Sequence, residues 1–167
     1  CCDDPVVYME HKNLWALEGE VDDRSSIPLG VARTAREGKD LTIVSWSSTY
    51  HEAMLAAVAL GEEGIDAEVI DLRTLWPWDK TAVLNSVEKT GRLLVAHEAV
   101  QVAGFGAEIV ATVVERAFSS LRAPIRRLGA PRVPIPYAPP LEDLLRVTSE
   151  TIGSAARELM GQEHDRV

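Results

Sequence analysis

The sequence predicts an α/β fold, a three-layer, Rossmann-like and mostly parallel sheet of about five strands, with one antiparallel edge strand and helices on both faces. Three observations carry that expectation. Short β-branched runs alternate with longer helical stretches, and right-handed crossovers turn that order into a parallel sheet. Helix ends are marked by Gly61 and Gly64, and Pro77 lies between the clearest strand and the clearest helix start, where it forbids continuing either. An early strand pair joined by the short loop Glu37-Gly38-Lys39-Asp40 reads as a hairpin, which supplies the antiparallel edge.

Each element has a local reason. Pro5-Val6-Val7-Tyr8-Met9-Glu10 reads as a strand, followed by a linker-like stretch containing Asp22-Asp23 and Ser25-Ser26. Residues 32 to 36 and 41 to 46 read as the hairpin strands. Thr49 and Glu52 then have capping-box spacing, in which side chains satisfy the first free amides of a helix. Residues 66 to 71 form the next strand. Asp79 caps a helix to residue 90, residues 92 to 96 form a strand, and residues 97 to 103 a loop. A helix over 104 to 119, a strand over 124 to 128 and a last helix near 148 to 160 complete the order. Between the last two, Pro131 to Pro140 contains five prolines, so it is expected to be an extended, stiff strap poor in amide donors. The tail from Gly161 to Val167 is expected to fray.

Composition excludes several functions. With 26 Asp and Glu against 17 Lys and Arg, the net charge of −9 disfavours a nucleic-acid or acidic-membrane surface, which needs clustered cations. Cys1 and Cys2 are adjacent at the terminus, where they neither staple a core nor set metal-ligand spacing. No apolar run reaches the roughly 20 residues of a membrane span. The expected compartment is the cytoplasm of a bacterium, ahead of a mitochondrial matrix.

The candidate functional residues lie in turns and loops. In the stretch Asp71 to Asp79, the planar guanidinium of Arg73 can tie the strand end to a carboxylate, within the domain or across an interface. Trp76 and Trp78 flank Pro77, and at least one of them is expected to be partly exposed, either as a packing lid or as an interface residue. His97 and Glu98 sit beyond a strand end, where a titrating pair can do acid-base work or a carboxylate can accept local hydrogen bonds. Gly104-Phe105-Gly106 opens a helix whose amides could hold an anion. The dinucleotide fingerprint fails there, because the third small position falls on Ile109. Phe105 and the strap residue Tyr137 are read as structural or interface residues. Ser45, Ser47 and Ser48 lack the glycines of a nucleophile elbow and read as caps. No metal set is apparent.

Several motifs together resemble one known family. Gly38-Lys-Asp-Leu-Thr-Ile-Val44, Glu68-Val-Ile-Asp-Leu-Arg-Thr-Leu75 with Pro77 and Asp79, and Lys89-Thr-Gly-Arg-Leu93 resemble the E1 β subunit of thiamine-diphosphate-dependent 2-oxo acid dehydrogenases. So do His97-Glu-Ala99, Gly104-Phe-Gly-Ala-Glu-Ile109, Pro134-Ile-Pro-Tyr-Ala-Pro-Pro-Leu-Glu142, Pro5-Val-Val-Tyr-Met-Glu-His-Lys12 and Ile27-Pro-Leu-Gly30. The resemblance covers nearly the whole chain. Val100 stands where the family often has Pro, and Ala103 where Gly is common.

The resemblance implies a division of the chain. Residues 1 to 12 would be the last strand of a truncated pyrimidine-binding domain, 13 to 30 a linker, 31 to 160 a transketolase-like C-terminal domain and 161 to 167 a tail. It further implies that thiamine diphosphate and Mg belong to the parent enzyme, which acts on pyruvate, branched-chain 2-oxo acids or acetoin. The activating glutamate would lie upstream and the diphosphate on the α subunit. No catalytic, cofactor-binding or metal residue is therefore carried over, and this piece is expected to be inactive alone. The implied partners are the E1 α subunit, a second β subunit and the dihydrolipoyl acyltransferase (E2) core. Two other readings stand beside this one: a C-terminal domain of transketolase or deoxyxylulose-phosphate synthase, and a free-standing anion- or nucleotide-binding α/β domain.

Overall fold

Leu41–Ser45 (β2) is buried along its whole length, as a central parallel strand with helices over both faces must be. The computed structural model describes residues 3 to 20 and 26 to 161, so Cys1, Cys2, Asp22, Asp23, Ser25 and the tail beyond Gly161 lie outside the described residues. Around β2 the sheet contains Arg33–Arg36 (β1), Ala67–Asp71 (β3), Leu93–Val100 (β4) and Arg126–Ala130 (β5), in the order β1-β3-β2-β4-β5. Every neighbouring pair is parallel except β1 with β3.

The helices Ser47–Glu62 (α1) and Ser149–Gly161 (α5) cover one face, where Ala53, Ala57, Leu60, Ile152 and Leu159 pack on Ile43, Val69 and Leu94. Lys80–Thr90 (α2) and Gly106–Ala117 (α3) cover the other, where Val83, Val87, Ile109 and Val113 pack on Val44, Ile70 and Val95. Alternate strand residues thus feed opposite cores, since successive side chains in a strand point to opposite faces. A short turn of helix, Pro139–Glu142 (α4), ends the proline strap.

The hairpin expectation is corrected. β1 is the antiparallel edge, but its partner is β3, with Arg33 opposite Asp71, and β3 lies between β1 and β2. The reason lies at Gly38, where a Cβ would stand 2.3 to 2.6 Å from the backbone of Asp66, Ala67 and Glu68. The connecting loop crosses over the start of β3, and the amides of Lys39 and Asp40 both donate to the Asp66 carbonyl at 3.0 Å.

Other boundaries differ as well. Residues 5 to 10 form no strand: they are exposed and pair with nothing described, and a lone strand has no ladder to hold it. The capping box does not form: α1 starts at Ser47, Thr49 is buried inside its first turn, and Glu52 accepts instead from the Ser149 amide at 2.7 Å. Gly64, at φ 85°, ends α1 in a Schellman motif, with Ile65 N–H donating to the Leu60 carbonyl at 2.9 Å. Asp79 caps α2 as expected, accepting from the Ala82 amide at 3.0 Å. β5 begins two residues late because Pro124 cannot donate to a ladder.

Candidate functional site

In an open α/β sheet the crevice for ligands forms where the strand order reverses. Here that point lies between β2 and β4: α1 leaves β2 towards one face, while α3 follows β4 on the other. Three non-glycine residues with left-handed backbone, Ser47 (φ 57°), Arg73 (φ 57°) and Ala103 (φ 59°), follow β2, β3 and β4 at this same carboxyl edge.

Aromatic side chains fill the α2/α3 side of the crevice. Trp46 stacks on His97 with centroids 5.2 Å apart and planes 17° apart. Phe105 meets the edge of Trp46 at 5.9 Å and of Trp78 at 6.2 Å, contacts worth roughly 0.5 to 1.5 kcal/mol each beyond their burial. His97 is not in a loop, as the sequence suggested, but inside β4, which runs on to Val100 and pairs there with Ala130. It is fully buried, and neither ring nitrogen has a hydrogen-bond partner among the described residues. Burial, together with the nearby charge of Arg127, pushes its pKa down. The Ala99 backbone opposes that lowering, although neither ring nitrogen meets a hydrogen-bond partner among the described residues.

Glu98 faces the other way, as the next residue in a strand must. Its Oε2 accepts from Ser48 Oγ at 3.2 Å and lies 2.8 Å from His11 Nε2. Of the two readings open for His97 and Glu98, the titrating pair does not form, because the two side chains lie on opposite faces of the sheet. From within β4, Glu98 ties the turn around Lys12–Leu14 to the start of α1.

The stretch Asp71 to Asp79 clasps the entry to β1. Asp79 Oδ2 accepts from the Ala32 amide at 3.0 Å, Thr74 Oγ1 accepts from the Gly30 amide at 3.0 Å, and Gly30 packs on Pro77 after a cis Trp76-Pro77 bond. Arg73 stays local: its amide donates to Asp71 Oδ1 at 3.2 Å and its Nε lies 4.0 Å from Oδ2, a single long contact and not the bidentate tie expected. Burial raises the Asp71 pKa despite Arg73, Arg33 and His51 nearby. Trp76 is 77% exposed whereas Trp78 is 5% exposed, so the pair divides between surface and core. Tyr137 is wholly exposed on the strap, with Ile135 beside it.

Sequence reasoning missed a polar layer beneath α2. Thr42 of β2 shares hydrogen bonds with Ser86 (2.6 Å) and Thr90 (2.7 Å), and Lys89 pairs with the buried carboxylate of Glu68 on β3. Burial disfavours ionised Glu68, but hydrogen bonds from Lys89, Ser86 and the Gly38 amide hold its carboxyl below the usual glutamate value. One signal was available: a charge inside the buried run Ala67-Glu68-Val69-Ile70 needs a partner.

The chemistry open to this edge is limited. A Cβ on Gly106 would stand 2.8 Å from His97 Cδ2 and Nε2, so the start of α3 is packed against imidazole where a diphosphate would need room. Among the described residues no group of three His, Cys, Asp or Glu side chains could hold a metal ion. None of the described helices is long and apolar enough to cross a membrane.

Comparison with known proteins places this arrangement. The family model for the transketolase C-terminal domain matches residues 30 to 152. The chain is 46% identical over 163 residues to the β subunit of acetoin:2,6-dichlorophenolindophenol oxidoreductase from Cupriavidus necator, covering 96% of this chain and 48% of that protein. It is 41% identical over 162 residues to the mitochondrial pyruvate dehydrogenase E1 component subunit beta of Dictyostelium discoideum, covering 94% of this chain and 46% of that one. The chain thus spans about half the length of the curated relatives it matches. Among solved structures, a split-gene transketolase described as an inactive β4 tetramer superposes with a TM-score of 0.75 at 24% identity, over 89% of this chain and 47% of the other, which shows a shared fold.

Proposed function

The chain belongs to the transketolase C-terminal domain family, and from that premise we propose that it is the C-terminal domain of the E1 β subunit of a 2-oxo acid dehydrogenase, serving subunit association and complex assembly. The observation that carries this reading is a relation to β subunits at 41 to 46% identity over at least 94% of the chain. The geometry supports it. A carboxyl edge filled by Trp46, His97, Phe105 and Trp78 suits a packing module, whereas Trp76, Ile135 and Tyr137 are apolar groups turned outward, as at a protein interface.

In this reading residues 31 to 160 form the domain, residues 1 to 12 belong with the domain before it and 13 to 30 link the two. The parent enzyme decarboxylates a 2-oxo acid on thiamine diphosphate with Mg and passes the acyl group to a lipoyl arm. Its partners are an α subunit, a second β subunit and the acyltransferase core, in a bacterial cytoplasm. The residues of this chain supply scaffold and contact surface, and no chemical step is assigned to them.

Two measurements test it. Co-expression with candidate α subunits followed by pull-down is expected to recover an assembly, and calorimetric titration of the chain alone with thiamine diphosphate and Mg is expected to show no saturable binding. Failure to associate with any α subunit, or saturable cofactor binding by this chain, would overturn the proposal. The rival anion-binding reading is disfavoured by the ring that occupies the amide end of α3.

A further inference from the structure

Among the described residues, His97 is a buried titratable group at the carboxyl edge that an assembly role leaves without a task. Its ring is gripped by backbone. Trp46, just beyond β2, covers one face, and a Cβ would come within 2.8 Å of the ring at Gly104 and Gly106, and within 2.9 Å at Gly129 of β5. These three glycines leave space for an imidazole and no adjoining side chain.

On balance the surroundings favour the neutral ring. From β5 the charged group acting on it is Arg127, whose Nη1 donates to the Gln101 carbonyl at 3.0 Å. From α3 it meets the positive end of a helix. From β2 and the segment 101 to 105 it meets Trp46 and uncharged residues. The nearest carboxylate in sequence, Glu98, is committed to His11 and Ser48 on the α1 side. A proton on His97 would therefore face burial and positive potential, with the Ala99 backbone as the group that favours it; neither ring nitrogen has a hydrogen-bond partner among the described residues.

We propose that His97 is a proton-operated latch: protonation expels the ring from its glycine cradle, breaks the stack on Trp46 and releases the segment 101 to 105 from β5, opening the crevice between β2 and β4. That segment is the part able to respond. It contains Ala103 in the left-handed region and is held to β5 by the Gln101 amide on the Ala130 carbonyl at 2.9 Å and by the Gln101–Arg127 contacts. The sign follows from burial. Stability from the neutral ring is present above the ordinary histidine pKa of about 6.5 and is lost as pH falls through the lower value of the folded protein.

The test uses the 167-residue chain, following the His97 ring and Trp46 indole resonances by NMR from pH 8 to pH 4, with far-UV circular dichroism in parallel. The expected result is a His97 titration below the ordinary histidine range, a Trp46 shift with the same midpoint, and unchanged helix content. Both His97→Phe and His97→Gln should lose the Trp46 transition. The latch is overturned if His97 stays neutral until the whole domain unfolds, if it titrates without moving Trp46, or if the Trp46 transition survives in a folded variant.

Discussion

Asp79 joins two parts of the chain through one carboxylate: Oδ1 accepts from the Ala82 amide at 3.0 Å to cap α2, and Oδ2 accepts from the Ala32 amide at 3.0 Å where the chain enters β1. A cap read from sequence explains only the first bond. Asp79→Ala removes both acceptors and is expected to cost about 2 to 3 kcal/mol, more than the ~1 kcal/mol of a simple cap. Asp79→Asn keeps one acceptor oxygen and presents an NH2 group to the other amide, so it should lose about half as much. Urea unfolding of both variants checks the order.

Lys89 and Glu68 make the second prediction. Lys89→Ala leaves a buried carboxylate short of its cation, although the Gly38 amide at 3.3 Å and Ser86 still reach it. The expected loss is about 1 to 3 kcal/mol at pH 7, at the modest end of pair breaking because Lys89 is itself half exposed. The depressed Glu68 pKa gives the wild type stability that is present above the ordinary glutamate value and lost as pH falls through the folded one. Removing Lys89 should flatten that acid limb, as measured by unfolding midpoints between pH 6 and pH 3.

Gly106 is constrained by a side chain, not by φ, because its backbone is ordinary helix and the obstacle is the His97 ring. Gly106→Ala should cost about 1 to 3 kcal/mol through overpacking. His97→Ala in the same chain should recover part of that loss by making room. A double-mutant cycle in urea separates this from an anion-site role, in which phosphate would alter the wild-type midpoint.

Trp76 tests the outward-facing surface. Trp76→Ala removes a side chain that is mostly in water and is expected to leave the unfolding midpoint within about 0.5 kcal/mol of wild type. Under the assembly proposal it should nonetheless weaken recovery of the α subunit in the pull-down. Trp78→Ala, buried against Phe105, should instead cost about 3 to 5 kcal/mol.

Much was legible without coordinates, because local chemistry decided it. The strand over Glu68 to Ile70, the Asp79 cap, the Gly64 stop and the alternation into a three-layer sheet follow from residue type and spacing within a few positions. The sequence by itself also determined the family, through motifs that keep their order along the chain. Only the tertiary structure decided that β3 enters between β1 and β2, that His97 and Glu98 point to opposite faces, and that Glu68 finds Lys89. Those outcomes depend on backbone meeting backbone across long separations: the Gly38 loop over β3, three glycines around one imidazole, and two neighbouring residues parted by the pleat of a strand. Residue type states what a side chain can do, but only the packed sheet determines what lies beside it.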